Sequence, residues 1–428
     1  MGGPAPAGLC SGGQAPATAE GQGARRRVVL FVDDEPIVLM GLKRIFHHMA
    51  QKWDMLFASG AQEALALMAA RPVDAIVTDL TMPGLDGTEL LRRTLREHPD
   101  AVRVLLSGYS EEELLGRALA PAHQFFAKPC DERRLANALE EAMDARAYVT
   151  NSLVLEKIGL PLLPEVLRRI AFELDNDAPD IEEIAALVTA DSALAEAVLE
   201  LVDGTRLCAG RTLETPRQAV LALGIEIVQP AVLFLSLFSR FEAGGVRSYA
   251  LPKLKAHCLR SAGIARAIAL DMGLAGAAVD CAYSAALLHD TGKLLLDVLY
   301  ASECQEIMEA VRADNRRVSE VEAEHLGLTH AQVGAYLLGL LGLPQPVVRA
   351  VARHHAHSPE QKGFHAEDAV YFANVLDHGL FVFNECYARP EPDPLRLAGI
   401  GGDERLGRWR KVVLGLGLGH AGVNRAGA

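Results

Sequence analysis

Two sets of residues in this 428-residue chain have the types and spacing to do chemistry: an acidic set in the first third, and an imidazole-rich set after residue 256. The acidic set is built from Asp33 and Asp34 in VVLFVDDEP (Val28–Pro36), Asp79 in VDAIVTDLTMPGLDG (Val73–Gly87), Ser107 in VLLSG and Lys128 in FFAKP. Adjacent carboxylates repel and raise their own pKa values unless a cation joins them, so Asp33 and Asp34 with Asp79 read as a Mg2+ cradle. Alone, an aspartate such as Asp79 reads as a turn residue or helix cap. A phosphoryl group on it, however, would need a divalent ion, a hydroxyl donor and a fixed positive charge, and the remaining members supply one of each.

The elements that must position this set are short apolar runs. Ala75–Val77 lies between Pro72 and Pro83-Gly84, as a buried strand of a parallel sheet does. Strand patterns at Val28–Val32, Met55–Ala58, Ala75–Thr78, Val102–Leu106 and Phe125–Ala127 alternate with helical patterns at Ile37–Met49, Ala61–Ala70, Thr88–Glu97 and Glu111–Leu119. A last helix follows Asp131, its expected N-cap, with Leu135, Leu139 and Met143 on one stripe, and is expected to run on towards the next domain. The pattern predicts an α/β doubly wound, five-stranded parallel sheet with its ligand site at the carboxyl ends of the strands.

In these motifs the stretch from about Arg25 to about Ala147 resembles the receiver domain of two-component response regulators, a flavodoxin-like fold. The resemblance implies Asp79 as phospho-acceptor, Asp33 and Asp34 as the acidic pair, Thr81 as the residue lending a carbonyl to Mg2+, Ser107 as the switch hydroxyl and Lys128 as the phosphate-facing lysine. Phe125 stands where the switch aromatic is more often tyrosine, which keeps a packing change but removes a phenol. A histidine kinase or phosphotransfer protein is the implied partner.

After Thr150 the strand patterns stop. Leu163–Leu174, Ile181–Val202, Pro216–Glu226, Ala231–Phe241 and Leu254–Met272 carry helical periodicity, and Thr215-Pro216-Arg217-Gln218 is a capping box with proline at the first helical position. Asp180 with Glu183 repeats the capping logic and Gly204 suits a helix end. This second domain is expected to be all helical.

Ten of the fourteen histidines lie from His257 onward. With Asp290 and Asp377, the residues His257, His289, His330, His354 and His355 form a set of imidazoles and carboxylates on successive helices, which suits Fe2+, Mn2+ or Zn2+. Packing and internal hydrogen bonds in a helical bundle are the alternative. His289 and Asp290 are adjacent, so both reach one ion only at a helix end or bend, which Thr291-Gly292 permits.

ALLHDTGK and the later histidines resemble the HD superfamily of metal-dependent phosphohydrolases. Over about Leu160 to His378 the chain looks more like the HDOD domain, an HD-related output domain. The resemblance rests on LPLLPEV, ADSALAEAVLELVDG, ETPRQAVLALG, LLHDTGKLLL and EAEHLGLTHAQVGAYLL, with Ser192 and Asp203 departing from the usual proline and asparagine. It implies a regulatory or interaction output with a downstream protein partner. The catalytic cousin, the HD-GYP phosphodiesterase that cleaves cyclic di-GMP, would use the seven HD-half residues above as metal ligands. Here AHSPEQKGFH follows the double histidine with no Gly-Tyr-Pro, and no basic cluster for a dianionic substrate is evident. A phosphorylation-gated, metal-dependent phosphodiesterase is therefore the alternative to an interaction output, and a homodimer is left open.

The rest of the composition excludes more than it adds. A formal charge of −13 argues against a nucleic-acid effector. Seven cysteines without a CxxC pair read as reduced thiols, and no run approaches a membrane span, so a cytoplasmic location is expected. The expected divisions are a disordered leader over 1–24, the receiver over 25–147, the helical output domain over 148–385 and a tail over 386–428 carrying a short helix at Asp403–Leu414.

Overall fold

The structure, a computed structural model, describes residues 25–107, 122–128, 130–149, 165–174, 179–208, 213–242, 248–355, 363–381 and 391–416. The expected leader and the expected helix at Glu111–Leu119 lie outside the described residues.

The first half is the predicted sheet. β1 (Arg27–Val32), β2 (Trp53–Ala58), β3 (Ala75–Asp79), β4 (Val102–Ser107) and β5 (Gln124–Ala127) are all parallel, in the order β2-β1-β3-β4-β5. Alternation along β1 divides the core. Val28 and Leu30 join Ile76 and Leu105 beneath α2 (Ala61–Ala70) and α3 (Gly87–Glu97), while Val29 and Phe31 face the opposite side with Val77 and Val104. On that opposite side lie α1 (Pro36–Ile45), a 3-10 turn at Phe46–Gln51 and α4 (Glu132–Ala145). Asp131 caps α4 by accepting from the N–H groups of Arg133 and Arg134. The helix does not run on: it tightens into a 3-10 turn at Arg146–Tyr148.

The second half is helical: α5 (Glu165–Leu174), α6 (Ile181–Ala190), α7 (Ser192–Gly204), α8 (Pro216–Leu223), α9 (Ile225–Glu242), α10 (Leu251–Asp271), α11 (Ala277–Leu288), α12 (Thr291–Leu299), α13 (Ala301–Asp314), α14 (Val318–Leu326), α15 (His330–Leu340), α16 (Gln345–Ala352), α17 (Ala366–Leu380), α18 (Pro394–Gly399) and α19 (Asp403–Gly415). The helix expected over Ile181–Val202 is two helices, because Asp191 takes an extended backbone and accepts from Leu194 N–H as the cap of α7. The helix expected to reach Glu226 stops at Leu223, where Gly224 has φ +77°. α9 instead starts before Pro230 and carries that proline inside it. Asp180 caps α6 by accepting from Glu182 N–H.

The tail is part of the helical body, since Trp409 on α19 is buried and its indole N–H donates to Asp271 (2.8 Å). Among the described residues no single helix is long and apolar enough to cross a membrane.

The two halves share a core. One buried cluster runs from Phe126 on β5 and Leu135, Leu139 and Met143 on α4 to Tyr336, Leu337 and Leu340 on α15. Gln124 donates to Leu340 O (3.2 Å) and Gln345 to Glu141 O (3.0 Å) across the junction.

Candidate functional site

Parallel strands deliver their last residues to one edge, and the acidic set meets there. β1 ends one residue before Asp33, which is buried; β3 ends on Asp79 and β4 on Ser107, also buried. The Lys128 ammonium, just past β5, lies between two carboxylates, donating to Asp33 Oδ2 (2.6 Å) and to Asp79 Oδ1. Burial of the amine opposes its charge, but Asp33 and Asp79 outweigh it and raise the Lys128 pKa. Glu35 N–H donates to Asp33 Oδ1 (2.9 Å), and Thr81 N–H to Asp79 Oδ2 (2.6 Å). Asp34, the next residue after Asp33, is half-buried, and Thr81 is exposed. One ammonium between the Asp33 and Asp79 carboxylates leaves net negative charge on hard oxygen donors, which fits Mg2+. Phe125 is half-buried on β5, paired with Leu105 and packed on the core beneath α3.

One residue the motifs did not single out is Gly87. A Cβ there would lie 2.0 Å from Asp79 O, so only glycine lets the start of α3 close on the loop that follows Asp79.

The imidazole set converges in the helical half. His257 comes from α10, His289 and Asp290 from the break between α11 and α12, His330 from the first position of α15, and His354 and His355 from just beyond α16. His257, His289, Asp290, His330 and His354 are almost wholly removed from solvent. Two groups form, each able to place three ligand atoms within 4.8 Å of one another: His257, His289 and Asp290, and His330, His354 and His355. Asp290 sits between them. Its Oδ2 is 3.6 Å from both His257 Nε2 and His289 Nε2, and its Oδ1 is 3.3 Å from His330 Nε2 and 3.8 Å from His354 Nε2.

Four of these rings are oriented by an oxygen acceptor at Nδ1. His257 Nδ1 meets Asp377 Oδ2 (2.6 Å), His289 Nδ1 meets Ala286 O (2.7 Å), His330 Nδ1 meets Glu322 Oε2 (2.6 Å) and His354 Nδ1 meets Val351 O (2.7 Å). With the proton on Nδ1, each Nε2 turns a lone pair inward. The inward atoms lie close: His257 to His289 at 3.1 Å, His330 to His354 at 3.3 Å and His355 to His330 at 3.0 Å. Facing lone pairs repel, whereas two nitrogens held ~2.0–2.1 Å from one tetrahedral cation stand about 3.3 Å apart.

Burial pushes His289 down to about 4 and His354 and His355 well below the usual range, so these rings stay neutral at neutral pH, the form a metal takes. At His330 burial works the same way, but Glu322 outweighs it and raises the pKa. Burial disfavours the Asp290 charge too, yet Lys293, donating to Oδ2 at 2.6 Å, and the facing imidazoles hold the carboxyl well below its ordinary value. Asp290 Oδ1 is buried with no hydrogen-bond partner. Orphaned carboxylate oxygen and inward Nε2 atoms together fit a cation on each side of Asp290.

Asp377, expected among the ligands, joins neither group. Its Oδ1 accepts from Arg260 Nε (2.6 Å) and its Oδ2 from Arg260 Nη2 (2.9 Å) and His257, so it orients His257 from behind. Glu322, which fixes His330 through both Nδ1 and the backbone N–H (2.9 Å), was not legible: eight residues and a helix end separate the pair. The expectation of no basic cluster is also corrected. Lys293, Arg316 and Arg317 line one cavity with His330, His354 and His355, because the turn between α13 and α14 folds back over the histidines. Arg316 in that cavity is paired with Glu324 (2.8 Å).

Comparison with known proteins agrees with this division. The HDOD domain family matches residues 160–357, and the response regulator receiver domain family matches residues 29–140. The hydrogenase transcriptional regulatory protein HoxA of Cupriavidus necator is 33% identical over 124 residues, which is 28% of this chain and 25% of that protein. The chain thus spans about a quarter of that curated relative's length. Among solved structures, the signal receiver domain of an HD domain-containing protein from Pseudomonas fluorescens is 30% identical, with a TM-score of 0.27, covering 28% of this chain and 96% of that one. An HDOD domain protein of unknown function from Geobacter sulfurreducens is 23% identical, with a TM-score of 0.46, covering 66% of this chain and 90% of that one. The chain joins a response regulator receiver domain, residues 29–140, to an HDOD domain, residues 160–357.

Proposed function

We propose that this protein is a response regulator phosphorylated on Asp79 by a histidine kinase or phosphotransfer protein, with the HDOD half as a metal-holding interaction output for a downstream protein partner. The observation that carries it is the meeting of Asp33, Asp79, Ser107 and Lys128 at one sheet edge, with Lys128 already bridging the two carboxylates. An Asp79 oxygen attacks the phosphorus of the donor. The bond from phosphorus to the donor imidazole breaks, and its electron pair remains on that nitrogen, which takes up a proton. Lys128 and the Ser107 hydroxyl then pair with the phosphoryl oxygens. Asp33, Asp34, Asp79 and the Thr81 carbonyl would hold Mg2+, which would supply the charge neutralisation that two approaching anions need. Phe125 fills the space that Ser107 leaves when it is drawn inward.

In the HDOD half, His257, His289, Asp290, His330, His354 and His355 hold Fe2+, Mn2+ or Zn2+, and Asp377 and Glu322 orient the rings. An interaction output is kept over hydrolysis of cyclic di-GMP because the Gly-Tyr-Pro that names the hydrolase is missing from the sequence.

The test is a small phosphodonor with and without Mg2+. Phosphate is expected on Asp79 only with Mg2+ and not in Asp79→Asn; wild-type labelling of the variant would overturn the assignment. Metal-dependent turnover of cyclic di-GMP that disappears in His289→Ala/Asp290→Ala would instead establish the hydrolase.

A further inference from the structure

The candidate metal centre and the receiver site touch opposite ends of one pair of regular elements. Lys128, on Asp33 and Asp79, immediately follows β5, and Gln124 begins that strand. Four residues of strand span about 13 Å. The Gln124 amide then donates to Leu340 O, the last residue of α15, whose first residue is His330. The eleven residues of that helix span about 16 Å. The chain of contacts from Asp79 to Asp290 is therefore Lys128, β5, Gln124, α15 and His330, with a side-chain hydrogen bond as its one joint between the halves.

α15 is seated by a close glycine contact at both ends. Towards the metal centre, a Cβ on Gly292 would lie 1.9 Å from His330 O and 2.8 Å from Gly334 N. Gly292 is the second residue of α12, two positions after Asp290, so α12 and α15 have no side chain between them there. Towards the receiver, a Cβ on Gly339 would lie 2.3 Å from Ala145 Cβ at the end of α4. Beyond α15, Gly342 (φ +76°) brings the chain against the Gln124 amide, and Gln345 ties the start of α16 to Glu141 O on α4. Closely packed segments like these do not deform continuously; they move as bodies or not at all. The N-cap of α15 is also fixed, since Thr329 and Gln332 form a capping box and Glu322 holds both the N–H and Nδ1 of His330.

We propose that α15 couples the two sites: a charge change at Asp79 that moves Lys128 and β5 displaces α15 against α12, and so changes the metal affinity of the centre built on His330 and Asp290. This rests on the metal-holding reading given above. It adds a direction of control that an interaction output alone does not contain. It also carries a thermodynamic obligation, because a coupling between two binding equilibria is reciprocal. Whatever factor a phosphoryl mimic applies to metal affinity, the metal applies to affinity for the mimic.

The experiment uses the full chain, stripped of metal and kept in excess Mg2+. Zn2+ affinity is measured by chelator competition with and without beryllofluoride, with His289→Ala/Asp290→Ala as the blank. The expected result is a change of about fivefold or more in Zn2+ affinity, since coupling between sites typically runs from 5- to 150-fold. Beryllofluoride affinity should change by the same factor when Zn2+ is added. Gln124→Ala, which deletes only the joint, should reduce the change while leaving phosphorylation and basal Zn2+ affinity in place. Gly339→Val, which wedges α15 from α4, should abolish it. Because the wedge can also unfold the junction, Gln124→Ala carries the test if Gly339→Val fails to fold. Equal Zn2+ affinity with and without beryllofluoride overturns the coupling and leaves the metal reading standing. No Zn2+ uptake above the blank in either state overturns both.

Discussion

The two sites handle charge in opposite ways. In the receiver half, anionic carboxylates are already answered by a protein cation, Lys128, which bridges Asp33 and Asp79 at a partly exposed strand edge. In the HDOD half, imidazoles turn Nε2 atoms toward one another in a buried space, and Asp290, held by Lys293 through Oδ2, keeps Oδ1 without a hydrogen bond. The first arrangement is complete enough to stand open and receive a transient group. The second brings buried nitrogens and a carboxylate oxygen into a space where a cation would join them.

The largest effect that would sharpen this contrast is on Asp290. Removing it breaks the buried ion pair that Asp290 forms with Lys293, and breaking such a pair costs about 3–5 kcal/mol. Asp290→Ala should therefore lower the urea midpoint of the chelated protein strongly, whereas Asp79→Asn, which leaves Asp33 on Lys128, should change it little. Equal effects would erase the contrast. A smaller effect is expected at Glu322, which touches the centre only through His330. Glu322→Gln should weaken metal binding about 10–100-fold with the fold intact. An effect of similar size but confined to the receiver half is expected for Gly87→Ala. Its Cβ would press on Asp79 O, so a loss of about 1–3 kcal/mol and slower phosphorylation are expected, with metal binding in the HDOD half unchanged.

The contrast also explains what was legible in the sequence. The receiver site is assembled from strand ends, and each end carries its functional residue beside a short apolar run. Composition and order alone therefore located Asp33, Asp79, Ser107 and Lys128, and the five-stranded parallel sheet followed from the same runs. The HDOD centre is assembled from α10, the break between α11 and α12, α15 and the end of α16, so residue types name its members but not their neighbours. Asp377 reads as a ligand candidate as part of the set of His and Asp residues on successive helices; that both its oxygens are spent on Arg260 and His257 depends on how α10 packs on α17. Glu322, Arg316 and Arg317 lay in an unremarkable charged stretch until the turn before α14 brought them over the histidines. Helix boundaries failed for a local reason. Asp191 and Gly224 interrupt apolar periodicity that continues on both sides, and periodicity does not register a cap.

The junction between the halves was not legible at all. Gly339 and Ala145 carry no chemical signal, yet their close approach seats the receiver's last helix on the helix that begins with His330. The account depends on that junction, because a receiver has an output only if a change at Asp79 is felt in the HDOD half.

Hydrogen exchange with and without phosphate on Asp79 tests this most directly. Altered exchange is expected in Val102–Ser107, in Gln124–Lys128 and, across the junction, in His330–Leu340, all absent in Asp79→Asn. Exchange in His330–Leu340 that is identical with and without phosphate would contradict it.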